Sequence, residues 1–115
     1  METIRETEYT TVICKDEAGA GNACHSYEIT HTGYGQTSLT HVEFQNGPIQ
    51  ENGVNGCQNE DLLAIVIHRL QGFQSGQYAC RENAIALTKI QEALMWCEKR
   101  TADRKARNVE GKSIV

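Results

Sequence analysis

From Leu62 to Leu70 the chain reads Leu-Leu-Ala-Ile-Val-Ile-His-Arg-Leu, apolar nearly all round the first two turns of a helix. Asn59 is the predicted N-cap, and Glu60 and Asp61 fall in the first turn, where the helix dipole favours acids. A helix with apolar residues on more than one side is buried on more than one side. The chain has 115 residues, the length of one domain. A domain that small buries only about two-thirds of its unfolded surface. The second buried side is hard to supply internally, and self-association is the simplest supply. The sequence therefore predicts an oligomer.

Gly72 to Gly76 reads as a turn, and a second helix is predicted from Ala79 or Cys80 to Asn108. Leu87, Ile90, Leu94 and Cys97 recur at 3–4 spacing, the stripe of a helix packed on a partner helix. At 1.5 Å per residue this helix is ~42 Å long, about twice the first. Its far end carries Trp96 and a basic run. That end either projects into solvent or meets another subunit.

The first half has a different period. Glu8–Cys14, Cys24–Thr32 and Ser38–Phe44 are rich in β-branched and aromatic residues and are separated by Gly-containing turns. Three strands in an antiparallel meander follow, spanning 8–45, with an apolar face that needs a cover. Residues 46–58 hold four Asn-Gly or Gly-Pro steps and read as loop. The fold class expected is α+β: a small N-terminal antiparallel sheet and then a two-helix hairpin over 59–108, all within one domain, 1–115.

The net charge of −4 conceals an asymmetry. Residues 1–61 carry two cations and ten acids; residues 62–115 carry nine cations and five acids. Lys99, Arg100, Arg104, Lys105 and Arg107 cluster, and Arg100, Arg104 and Arg107 share a helix face. A positive tract on an acidic body suits a local anion site more than a nucleic-acid coat. A salt-bridged helix end, with Glu98 and Asp103 at hand, is the alternative.

Asn83 extends the apolar stripe toward the inter-helix turn, either setting register or reading a ligand through its amide. Phe73, placed in the turn, is either a stacking platform for a purine or a packing residue. The charged N-terminus has no secretory signal and no run is long enough for a membrane span, so an intracellular protein is expected. The five cysteines lack zinc-type pairs; Cys24-His25 with His31 and His41 comes nearest, and no metal site or cofactor is expected. No P-loop, G-x-S-x-G or H-E-x-x-H motif occurs, which favours a binding protein over an enzyme.

The stretch Asn52-Gly-Val-Asn-Gly-Cys-Gln-Asn-Glu-Asp-Leu-Leu-Ala-Ile-Val-Ile-His-Arg-Leu-Gln-Gly-Phe-Gln-Ser-Gly76 resembles phage anti-Thoeris sponges, the first type of Thoeris anti-defence protein. So do Arg81–Trp96, Arg100-Thr-Ala-Asp-Arg104 and Val109-Glu-Gly111. The hairpin is similar to one shared with anti-CBASS sponges, and the preceding sheet agrees with the anti-Thoeris branch by element order.

The resemblance implies a non-catalytic, phage-encoded protein of the host cytoplasm that sequesters glycocyclic ADP-ribose. It implies a homo-oligomer built from dimers, often a hexamer, and cyclic di- or trinucleotides as further ligands at a separate site. By the same resemblance Phe73 stacks on a base, Asn83 hydrogen-bonds a base or ribose, and Arg100 contacts the pyrophosphate, with Arg104 beside it on the basic stripe. Gly76-Gln77-Tyr78 stands where the family reads Gly-Pro-aromatic, Asn108 where it has Gly, and His68 where an acid is usual. Two readings of other classes remain: an enzyme degrading the same signal, and a small nucleic-acid-binding regulator using the basic helix.

Overall fold

The computed structural model describes residues 1–114, which divide into two compact units, one ending at Cys57 and the other beginning at Gln58. The first unit is a four-stranded antiparallel sheet in the order β1 (Glu2–Glu6), β2 (Thr10–Cys14), β3 (Ser26–His31), β4 (Ser38–Glu43). The meander of three strands is as the alternation predicts. The fourth, β1, is an addition. Its sequence Glu-Thr-Ile-Arg-Glu lacks the apolar signature because it is an exposed edge, bulged between Thr3 and Arg5. Charges and a bulge are devices that keep a free edge from pairing with another chain.

The sheet's interior is small and partly polar. Thr11 and Thr30, opposite each other in register, are the most deeply buried side chains, and Thr11 Oγ1 lies 2.6 Å from Thr32 Oγ1. Tyr27 packs edge-on to Phe44 with ring centroids 5.7 Å apart. Glu28 faces Lys15 at 3.2 Å and His41 at 3.3 Å. The Ser38 hydroxyl first, then Lys15, hold its carboxyl below the usual range.

The segment 46–58 is a loop with one helical turn in it, α1 (Ile49–Asn52), started by Pro48. Side-chain amides replace the missing backbone pairs. Gln45 Nε2 donates to the Gly53 carbonyl at 2.7 Å, and Asn55 bonds both the N–H and the C=O of Asn46 at 2.7 and 2.8 Å. Gly56 lies so close to Phe44 that an added Cβ would stand 2.4 Å from its carbonyl carbon. That approach permits the bridge between Phe44 and Cys57.

The second unit is a helical hairpin of α2 (Asn59–Gln74) and α3 (Arg81–Ala106). The N-cap of α2 is Gln58, one residue before the Asn59 the sequence suggested. Asp61 decides this, because its carboxylate accepts the Gln58 N–H at 2.9 Å and only Gln58 has an acid three residues on. Leu62, Leu63, Ile67, Leu70, Phe73 and Gln74 are half-buried along α2. Asn83, Ala86, Leu87, Ile90, Leu94, Cys97 and Thr101 form the matching stripe on α3.

At 16 and 26 residues the helices are about 24 and 39 Å long, so α3 outruns α2. The chain's own tail meets the surplus end. Asn108 adopts φ 59°, the left-handed stop that Asn tolerates, and Val109 then lies buried. Other apolar side chains stay outside: Ile65, Val66, Ile85, Met95 and Trp96 are exposed, Trp96 at 70%. No helix among the described residues is long and apolar enough to cross a membrane.

Candidate ligand site at the closed end of the hairpin

The connection between the helices is clamped across its ends by Gln74. Gln74 accepts the Cys80 N–H at 3.0 Å and donates to the Cys80 carbonyl at 3.1 Å, so a single amide pairs with a whole residue of backbone. Cys80 in turn caps α3, its sulfur accepting the Asn83 N–H at 3.4 Å. This fixes the first turn of α3, and with it Asn83. The Asn83 side chain is half-buried on the inward stripe, and its carboxamide has no hydrogen-bond partner among the described residues. A half-buried amide left unpaired on an ordered first turn is available to a ligand.

Phe73 sits in the last turn of α2, not in the turn itself, because α2 continues through Gly72 to Gln74. Its ring is half-buried, and the Arg69 guanidinium lies 5.0 Å from the ring centroid. Arg69 was missed in the sequence, although its signal was present as an arginine four residues before an aromatic on one helix face. The closed end thus offers an aromatic ring with Arg69 over one face, an unpaired amide and the positive end of a 26-residue helix. That set suits a flat heteroaromatic ring carrying an anionic group.

The basic tract divides three ways. Lys99 pairs with Asp103 at 2.8 Å, as the salt-bridged alternative had it. Arg104, expected beside Arg100 on the ligand-facing stripe, is turned into the chain. It is 9% exposed and donates to the carbonyls of Ile114, Val109 and Lys112 at 2.7, 2.9 and 3.0 Å, with Glu110 at 3.8 Å. Arg100 is exposed and makes no ion pair among the described residues; exposed Trp96 stands one turn before it. From Asn83 to Arg100 is about 25 Å along α3 at 1.5 Å per residue. A small-molecule pocket of ~300–1,000 Å³ is only about 10 Å across. One chain therefore does not bring Phe73 and Asn83 to the same ligand as Arg100.

The histidines do not gather. His25 Nε2 lies 3.1 Å from the Ala20 carbonyl, His31 Nδ1 lies 3.1 Å from the Thr32 carbonyl and its ring packs edge-on to Tyr34, and His41 faces Glu28. His68 is exposed on α2. A group able to hold a metal forms elsewhere, from Cys14, Asp16 and Cys24, whose ligand atoms lie within 4.8 Å of one another. Sequence spacing hid it, since the pair meets only across the turn between β2 and β3.

Two comparisons bear on this hairpin. Residues 38–102 match the Acb2/Tad1 hairpin domain, a stretch that runs from β4 through Phe73, Asn83 and Arg100. The chain is also 60% identical over 73 residues to Thoeris anti-defense 1 of Bacillus phage SBSphiJ7. That alignment covers 64% of this chain and 51% of the relative, so the chain spans about half the length of the curated protein it matches. With a matching profile over more than half its residues, this chain belongs to the Acb2/Tad1 hairpin family.

Proposed function

We propose that the protein is a phage anti-defence sponge that binds the Thoeris signal glycocyclic ADP-ribose without converting it, and so withholds it from the host effector. The observation that carries the reading is the closed end of the hairpin. Within a stretch that matches the family, the Gln74–Cys80 clamp and the Cys80 cap set the backbone between half-buried Phe73 and half-buried Asn83. Phe73 stacks on the base, Asn83 bonds its polar edge or the ribose, and Arg100 binds the pyrophosphate by its planar fork.

The ~25 Å between Asn83 and Arg100 makes the complete site a composite, Arg100 coming from a second copy. Ile65, Ile85, Met95 and Trp96 supply the exposed apolar surface for that assembly, with dimers joining into a hexamer. A site closed between subunits buries most of a small anion, which slow release requires. Arg104 acts indirectly, by ordering the tail that follows α3. Cyclic di- or trinucleotides are further ligands of the same assembly.

Calorimetry with glycocyclic ADP-ribose tests the assignment alongside native mass spectrometry. Phe73→Ala and Asn83→Ala are expected to lose binding while the oligomer persists. Loss of the oligomer together with binding would reassign both residues to packing.

A further inference from the structure

The sheet unit brings together three donors that the hairpin site does not use. Cys14 ends β2 and is 6% exposed; Asp16 follows it; Cys24 stands just before β3 and is half-buried. Cys14 Sγ lies 3.8 Å from Asp16 Oδ1 and donates to the Asp16 carbonyl at 3.3 Å. All three ligand atoms fall within 4.8 Å of one another. Tetrahedral zinc, with Zn–S about 2.3 Å and Zn–O about 2.0–2.2 Å, sets neighbouring donors about 3.5–3.8 Å apart. The measured sulfur-to-carboxylate distance is already at that edge length.

We infer that Cys14, Asp16 and Cys24 form a binding site for zinc or a similar thiophilic divalent cation, which staples β2 to the start of β3. Asp16 is oriented for the task by three hydrogen bonds: its Oδ1 accepts the His25 and Ser26 N–H groups at 3.2 and 3.1 Å, and its Oδ2 accepts the His25 N–H at 3.0 Å. Such outer contacts are how metal-binding carboxylates are held in place. The fourth tetrahedral corner is left to water, as in other sites with three protein ligands.

The donor set favours a cation over a disulfide at this place. The Asp16 carboxylate gives a disulfide nothing and gives a cation a third ligand. The sheet unit also needs a staple, since its deepest side chains are two threonines.

The test uses the full chain, reduced and stripped of metal, titrated with cobalt(II) and then zinc(II). The expected result is one equivalent of cobalt with thiolate-to-metal charge-transfer bands, displaced by zinc. Those bands should be lost in Cys24→Ser and retained when Cys57, Cys80 and Cys97 are all changed to Ser. Losing even an outer-shell partner costs ~10–100-fold in metal affinity, so Cys24→Ser is expected to weaken binding by at least about tenfold.

A second measurement needs no variant. Zinc should protect Cys14 and Cys24 of the native chain from alkylation while exposed Cys80 still reacts. No bands at stoichiometric cobalt, bands undiminished in Cys24→Ser, or unprotected Cys14 and Cys24 would each overturn the site. So would recovery of a Cys14–Cys24 disulfide from protein that binds no cobalt after reduction.

Discussion

Arg104 was a candidate ligand group, and its surroundings give it a different task whose removal has a calculable effect. It is nine-tenths buried and donates to three carbonyls of the tail, Val109, Lys112 and Ile114. Hydrogen bonds from a charged donor contribute ~1.5–3 kcal/mol each, so the three set an upper limit of roughly 5–9 kcal/mol. The limit is not reached in Arg104→Ala. Once the tail peels away, its carbonyls bond to water, and each released residue regains ~1–2 kcal/mol of backbone entropy. The expected loss is therefore far below that limit, about the 0.5–3 kcal/mol of most single substitutions, concentrated at the end of α3 and the tail. Hydrogen exchange by mass spectrometry reads this directly: protection over 105–114 collapses while α2 and the first turns of α3 keep theirs. Arg104→Lys should fail nearly as badly, since one ammonium does not replace a planar fork aimed at three acceptors. Unchanged tail protection in both variants, with ligand binding abolished, would refute the clamp and return Arg104 to the ligand.

Other residues carry their own consequences. Arg100→Ala is expected to weaken binding of glycocyclic ADP-ribose by roughly 1.5–3 kcal/mol with assembly intact, and full affinity by calorimetry would remove the phosphate contact. Trp96→Glu puts a charge on the exposed apolar surface of α3 and should shift the oligomer toward smaller species in analytical ultracentrifugation; an unchanged mass excludes that face from the assembly. Gly56→Ala drives a Cβ into the Phe44 backbone and should destabilise the sheet unit by about 1–3 kcal/mol in urea unfolding, whereas a neutral result would deny the close approach.

The sheet should also weaken in acid. The His25 amide first, and the Ser26 amide with it, hold the Asp16 carboxyl below its ordinary value of 3.8, and Glu28 is lowered too. The folded state therefore favours the ionised forms. Their stabilisation is present above the unfolded-state values and is lost as pH falls through the folded ones. Urea midpoints measured between about pH 6 and pH 3 should fall for the native chain and fall less for Asp16→Asn; parallel curves would contradict the assignment.

Much of this was legible in the residues. Alternation located β2, β3 and β4, and 3–4 spacing located both helices and the inward stripe from Asn83 to Cys97. What escaped shares one physical cause, a dependence on backbone that leaves no side-chain pattern. β1 is charged because it is an edge, so its strand character lies in pairing with β2. The receivers of Arg104 are carbonyls, which every residue has. Cys14 meets Cys24 only once the register from Thr10–His31 to Cys14–Tyr27 is set, so no spacing rule finds the pair. The helix start moved by one residue because the reciprocal bond from Asp61 outweighed the intrinsic preference for Asn59.

The central claim is that the hairpin captures its signal and leaves it intact. Purified protein is mixed with glycocyclic ADP-ribose, filtered free of unbound ligand and heat-denatured, and the released molecule is identified by mass spectrometry. Unaltered signal is expected from the protein fraction, and none from Phe73→Ala. A converted product would make the protein an enzyme, and signal left wholly in the filtrate would contradict the account outright.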